Sequence, residues 1–506
     1  MRRTPRSRTL MALVVAVLFA LVVAACGGTS GGGDGEDSGG DGGGGEDAAV
    51  DLPECPVDAL ENVTAADPVE VTVWHSYVAK TQQALEDLAA QYNDSQDRVV
   101  VRVESQGNSY SELQRKYQQA IPSGDLPGIA ILEDTQNQSM ADSGTVIPLD
   151  SCDAADDSFD TEDFLPIALD YYAIDDVVWP VSMNLSTPIL YYNRKHFEQA
   201  GLDPDNPPTT LAEMRDAAQA IADANIPGIE APWVQVSNPS FVESWMTGAG
   251  VELVNNGNGR DEPATAATID GNEQLLDLFN YLNDMVDDGL LNPLPDTEGQ
   301  IDQYTAMATQ RSSMAIETTT AATSIEAFLK GQLDTSQLSS DGRINVEGLD
   351  LAGLDIDAAP LPGVEEPGRP QVGGGVYYIT NTTPPEVQAA AWDFVKFINS
   401  TESQVFNNLQ GSYMPLLESA VDDPELKATW EDTLSGQWLA LGFNQLQTGV
   451  DPEAPGITLG PYTEFRDELG TALEDMYFND GDPADVLGEA QANIDEAITR
   501  YQEENF

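Results

Sequence analysis

Basic side chains are scarce: 21 Lys and Arg stand against 86 Asp and Glu in 506 residues, and four of the Arg lie within the first eight positions. From Cys26 onward, 17 basic groups therefore face 86 acidic ones, a formal charge of −69. Such a field repels nucleic acid and anionic lipid surfaces, so neither is expected as a partner. It favours solubility in concentrated salt, where screening suppresses self-repulsion, and predicts a salt-adapted source. Histidine is almost absent, with His75 and His196 alone, and no C-x-x-C pair or metal-spaced cluster occurs, so no metal or other cofactor is expected. The G-x-x-x-x-G-K-[ST] loop is also missing, which excludes nucleotide hydrolysis by that route. After residue 25 no apolar run approaches the roughly 20 residues of a membrane span.

What the ends do contain is a processing signal. Arg2, Arg3, Arg6 and Arg8 precede an apolar run from Leu10 to Ala25 that stops at Cys26. Small residues stand directly before the cysteine, in Val23-Ala24-Ala25-Cys26, and this resembles the lipobox of bacterial lipoproteins. The resemblance implies lipidation of Cys26 and membrane attachment through that anchor alone, on the extracellular face. Residues 26–52 begin with a stretch of Gly, Ser, Asp and Glu, a composition that buries no apolar surface and behaves as a flexible tether. Gly28, Ser30 and Gly32 match G-x-S-x-G there, without the strand and helix that a nucleophile elbow requires. Two further cysteines, Cys55 and Cys152, are expected to form a disulfide, permitted outside the cytoplasm, with two free thiols as the alternative.

The folded region runs from about Pro53 to Phe506, long enough for two lobes. Alternation at 69–73, helical spacing at 79–92, a second strand at 99–103, a helix opened by Ser109 and Glu112, and a third strand at 128–132 predict a β-α-β-α-β run and a parallel sheet. Ligands gather at the carboxyl ends of such strands, which here present Trp74 and His75, Gly107 to Tyr110, and Glu133 with Asp134. A second unit begins with a strand at 188–192 and a helix capped by Thr210 and Glu213. Further helices are expected at 275–286, at 386–399, from about Thr463, and from Pro483 behind Asp482.

Tyr191-Tyr192-Asn193-Arg194-Lys195-His196-Phe197-Glu198-Gln199-Ala200-Gly201-Leu202, followed by Pro207-Pro208-Thr209-Thr210-Leu211-Ala212-Glu213, resembles the hallmark of extracellular solute-binding proteins of ABC importers, the maltose-type cluster. Within that cluster, Val73-Trp74-His75-Ser76, Gly107-Asn108-Ser109-Tyr110, Ser186-Thr187-Pro188, Gly373-Gly374-Gly375, Gly411-Ser412-Tyr413-Met414-Pro415 and Phe465-Arg466 are most similar to the glycerol-3-phosphate-binding branch. The resemblance implies an α/β, two-lobed periplasmic-binding-protein-like fold with discontinuous lobes and a hinged ligand cleft. The expected division is 1–25 signal peptide, 26–52 lipidated tether, 53–183 plus 313–372 for the N-terminal lobe, and 184–312 plus 373–506 for the C-terminal lobe, with crossings near Asn184, Ile316 and Gly373. It further implies a monomer that takes up a small molecule, glycerol 3-phosphate or a glycerophosphodiester, and delivers it to permease subunits. A neutral sugar or oligosaccharide is the alternative.

By the same resemblance the ligand contacts fall on Tyr110, Asp134, Ser186, a hydroxyl in the Thr318 to Thr320 run, taken as Thr319, Gly374, Tyr413 and Arg466, with Trp74, Glu133, Trp233 and Trp245 as possible additions. The residue types suit the chemistry: Arg and backbone N–H grip phosphate, while a carboxylate and an aromatic wall suit glycerol hydroxyls. Arg466 has Tyr462, Thr463, Leu469 and Gly470 as its helical neighbours, none acidic, so its partner is expected in a ligand or in the other lobe; ligand phosphate is the expectation. On that view Arg466→Ala weakens ligand binding and changes fold stability little. An enzyme is not expected, since the adjacent Glu133 and Asp134 point to opposite faces and cannot form an opposed glycosidase pair.

Overall fold

The β-branched residues Val69, Val71 and Val73 alternate inward along the strand Val69–His75, which lies parallel to Val99–Ser105 on one side and Ile129–Glu133 on the other. The computed structural model describes residues 52–297, 302–331, 354–449 and 456–506. The expected signal peptide, Cys26 and residues 26–51 of the expected tether lie outside the described residues.

Two sheets organise the described chain. The first runs Val99–Ser105, Val69–His75, Ile129–Glu133, Gly375–Thr380, Val146–Ile147, with Val181–Ser182 also paired to Gly375–Thr380. The second runs Leu291–Leu294, Trp233–Val236, Met314–Thr318, Pro188–Asn193, Ile356–Pro360. Pro188–Asn193 is buried at every position, as its near-continuous apolar reading requires of a strand inside a covered sheet. Helix starts follow their local chemistry: Ser109 accepts a hydrogen bond from the Glu112 N–H, Thr210 from that of Glu213, and Asp482 from that of Ala484.

Strand pairing corrects the expected division into lobes. Met314–Thr318 and Ile356–Pro360 flank Pro188–Asn193 antiparallel in the second sheet, so 313–372 does not belong with the N-terminal lobe. Gly375–Thr380 lies antiparallel to Ile129–Glu133 in the first sheet, and the helix Pro385–Ile398 packs beneath it, so the C-terminal lobe does not begin at 373. Ile316 pairs with Leu190 inside a sheet and marks no crossing. The chain passes between sheets after Val181–Ser182 and again between Pro360 and Gly375, then a third time in the stretch after the helix Thr401–Gly411. Isolated bridges Ser186 to Gly373 and Leu185 to Met414 hold these segments side by side.

Helices Tyr462–Phe478, Pro483–Asn505 and Glu273–Asp287 cover the second sheet with Phe465, Leu469, Ile494 and Phe279. A further apolar cluster joins Leu132 and Tyr378 of the first sheet to Tyr191 and Ala315 of the second. A disulfide joins Cys55 to Cys152 across 97 residues, with both cysteines buried. No helix among the described residues is long and apolar enough to cross a membrane.

Candidate functional site

The strand that ends at His75 continues directly into Ser76 and Tyr77, which line a cleft of about 670 Å³ between the two sheets. Glu133, the last residue of its strand, and Tyr110, set at the helix start by the Ser109 cap, complete the first-sheet wall. The facing wall is built from Ser237 and Asn238 after the strand Trp233–Val236, Asp296, Thr320, and Arg466 and Glu474 on the helix Tyr462–Phe478. Ser412 and Tyr413 close the end where the chain crosses.

Three tyrosines form one corner. Tyr77 lies edge-on to Tyr110 with ring centres 6.1 Å apart, and 6.4 Å from Tyr413. A Cβ on Gly375 would stand 2.0 Å from the Tyr77 hydroxyl and 3.0 Å from that of Tyr110, so glycine is what lets both phenols reach the strand. Tyr77 donates to Met183 Sδ at 3.1 Å. Burial pushes all three phenols up, Tyr77 to about 12, so the corner presents neutral aromatic rings.

Arg466 dominates the opposite wall. Its Nε and Nη2 donate to the two carboxylate oxygens of Glu243 at 2.8 and 2.9 Å, and its Nη1 donates to Glu133 Oε1 at 2.6 Å across the cleft. Glu243 is 0% exposed and also accepts from the Tyr462 hydroxyl at 3.0 Å. Burial opposes the charge on Arg466, but Glu243 and Glu133 outweigh it and hold the guanidinium well above its ordinary value. The partner that the helix itself lacks is thus a pair of carboxylates, one from each wall. Among the described residues, Lys80 and Arg466 are the cations lining the cleft, against Glu133, Asp296, Asp467 and Glu474, with Glu243 behind.

Of the candidate ligand contacts, Tyr110, Tyr413, Glu133 and Arg466 meet in this cleft, joined by Thr320 of the Thr318 to Thr320 run, whereas Asp134, Ser186, Thr319, Gly374, Trp74, Trp233 and Trp245 do not line it. Asp134 begins a short 3-10 turn and faces a separate small cavity with Tyr171, Tyr172 and Arg260, because consecutive residues at a strand end point to opposite sides. Its carboxyl is raised by burial and by the charge of Glu133, against the pull of Arg466. Ser186 is buried in its bridge to Gly373; Gly374, at φ 154°, packs on the Asn184 carbonyl; and the fully buried Thr319 Oγ1 accepts from the Thr187 N–H. These three belong to the seam beside the cleft. Trp74 packs against the cluster that joins the sheets. Trp233 and Trp245 are core residues, edge-on to each other, with indole N–H groups bonded to Gln235 and the Pro362 carbonyl, so their expected place at the ligand is corrected.

Sequence reasoning missed Tyr77, Lys80, Asp296 and Glu243. Glu243 did carry a signal: it stands between Phe241, Val242, Trp245 and Met246 on a helix with no other charge, and a lone carboxylate in such a run needs a buried cation. Tyr77 lies two residues past a strand end. Its backbone N–H is held by His75 Nδ1 at 3.0 Å, a local role for that histidine. No cluster of potential metal ligands occurs among the described residues.

Comparison with known proteins places this geometry in context. The sn-glycerol-3-phosphate-binding periplasmic protein UgpB of Rhizobium meliloti (strain 1021) is 23% identical over 437 residues, covering 85% of this chain and 94% of that one. Its counterpart from Escherichia coli (strain K12) is 22% identical over 451 residues, 85% and 93% of the two chains. Among solved structures, the GacH receptor of Streptomyces glaucescens aligns with a TM-score of 0.67 at 17% identity, covering 85% of this chain and 99% of that one. UgpB from Mycobacterium tuberculosis in complex with glycerophosphocholine aligns with a TM-score of 0.64 at 19% identity, over 86% and 98%. These likenesses show the two-lobed fold. The sequence profile described as bacterial extracellular solute-binding protein matches residues 87–433, more than half of the chain, and to that family the chain belongs.

Proposed function

We propose that the chain is the solute receptor of an ABC importer, held at the extracellular face by lipid on Cys26, and that its cleft captures glycerol 3-phosphate or a glycerophosphodiester. The observation that carries this reading is Arg466, aimed into a cleft whose other wall offers Tyr77, Tyr110 and Glu133. Guanidinium N–H groups suit a phosphate, a carboxylate suits hydroxyls or a cation, and neutral tyrosine rings suit the apolar faces of glycerol or a choline methyl group. Relatives described as glycerol-3-phosphate-binding support it, as does a structural neighbour described in complex with glycerophosphocholine. A neutral sugar is the second reading. It is favoured by the carboxylates that already engage Arg466 and by the hydroxyls of Ser76, Ser109, Ser237 and Thr320 around the cleft. A native mass spectrum of protein purified from its own cells tests the choice. A co-purified glycerol phosphate or its diester is expected, and a hexose or oligosaccharide mass would transfer the assignment to a sugar receptor.

A further inference from the structure

Arg466 has five N–H donors, and three of them are engaged: two by Glu243 on its own side and one by Glu133 from the facing wall. The two carboxylates are not equivalent. Glu243 is 0% exposed and matches the guanidinium fork with both oxygens, so it belongs to the fixed structure. Glu133 reaches across the cleft with one oxygen, its side chain is 29% exposed, and it is the last residue of its strand. An anion entering the cleft toward Arg466 therefore meets a negative group already bonded to the same nitrogen.

We propose that Glu133 sets which anions this cleft accepts, by acting as an internal competitor for Arg466. The proposal rests on the reading that Arg466 grips ligand phosphate. A ligand that brings only negative charge must break the Glu133 contact and leave that carboxylate beside it, and at such separations like charges repel strongly in a partly desolvated site. A ligand that carries a phosphate together with a cation splits the pair without loss: its phosphate takes Nη1 while Glu133 takes the cation. Glu133 thereby favours a zwitterionic phosphodiester over a phosphomonoester, which approaches two negative charges at neutral pH. Asp296, Asp467 and Glu474 on the facing wall act in the same direction, whereas Lys80 opposes them. This discrimination needs no steric exclusion. It arises from the counter-charge that a ligand must supply.

Calorimetric titration of the unmodified protein, Glu133→Gln and Glu133→Asp with glycerol 3-phosphate and with glycerophosphocholine tests it. Glutamine keeps the shape and removes the charge, so Glu133→Gln should shift the affinity ratio toward glycerol 3-phosphate by about tenfold or more. Glu133→Asp keeps the charge and should retain most of the original preference, and thermal melting of both variants verifies folding. The inference is overturned if Glu133→Gln changes both affinities by the same factor or neither, or if the Asp and Gln variants lose the preference equally. In those cases phosphate binding by Arg466 still stands. If neither phosphate ester binds the unmodified protein, the proposed ligand class fails and this inference fails with it.

Discussion

Replacing Arg466 by alanine leaves the Glu243 carboxylate, 0% exposed, with the Tyr462 hydroxyl but without its guanidinium. Uncompensated buried charge costs about 3–5 kcal/mol, so Arg466→Ala should lower stability in urea by that order, which revises the expectation of a small effect. Adding Glu243→Gln should recover much of the loss, and a double variant whose loss equals the sum of the two single losses would show that the pair is not coupled. Asp134 gives a second residue-level test. Its carboxyl is raised mainly by burial, then by Glu133, so the folded chain holds this proton at pH values where the unfolded chain has released it. Stability from this group is therefore lost as pH climbs above the ordinary value of 3.8, and Asp134→Asn should remove that loss. Melting temperatures compared at about pH 4.5 and about pH 7.5 should fall more for the unmodified protein than for Asp134→Asn, and identical falls would contradict the assignment. Glu133 and Asp134 also mark the limit of reading a site from residues alone. The sequence places both at a strand end, yet which one faces the cleft depends on the strand's partner, since Gly375 pairs opposite Glu133 from 242 residues away.

Helix starts were legible because their signals are local. Ser109 with Glu112, Thr210 with Glu213, and Asp482 before Pro483 all do in the fold what their spacing indicates. At the second of these, the Glu213 carboxylate also accepts from the Thr209 N–H at 2.8 Å, one residue outside the cap. Thr210→Ala should cost about 1 kcal/mol, read as a lower urea midpoint with unchanged slope; no shift would mean that packing of Leu211, Met214 and Ala218 alone sets the helix start. Sheet membership was not legible. Met314–Thr318 is legible only as a crossing near Ile316, because its antiparallel partner, Pro188–Asn193, lies more than 120 residues earlier and nothing in either segment names the other. The lobe boundaries drawn from sequence failed for that reason, while the four strands expected at 69–73, 99–103, 128–132 and 188–192 are present.

At the scale of the whole molecule, the walls of the cleft come from different sheets, and the chain passes between them in three adjacent segments. A ligand touching both walls gains its full contact set only when they approach, so saturating ligand should reduce the radius of gyration in solution scattering. An unchanged curve at saturation would argue against a hinge. The −69 charge of the chain beyond residue 25 acts over about 8 Å at physiological ionic strength, less in brine, so it steers encounters weakly, while the choice of ligand is made by contacts inside the cleft. The most direct measurement of the central claim is calorimetric titration of the unmodified protein with glycerophosphocholine, glycerol 3-phosphate and maltose under one set of conditions. Saturable binding of a phosphate ester, with maltose binding weaker by about 100-fold or more, is the predicted result; tight maltose binding with no heat from either phosphate ester would contradict it.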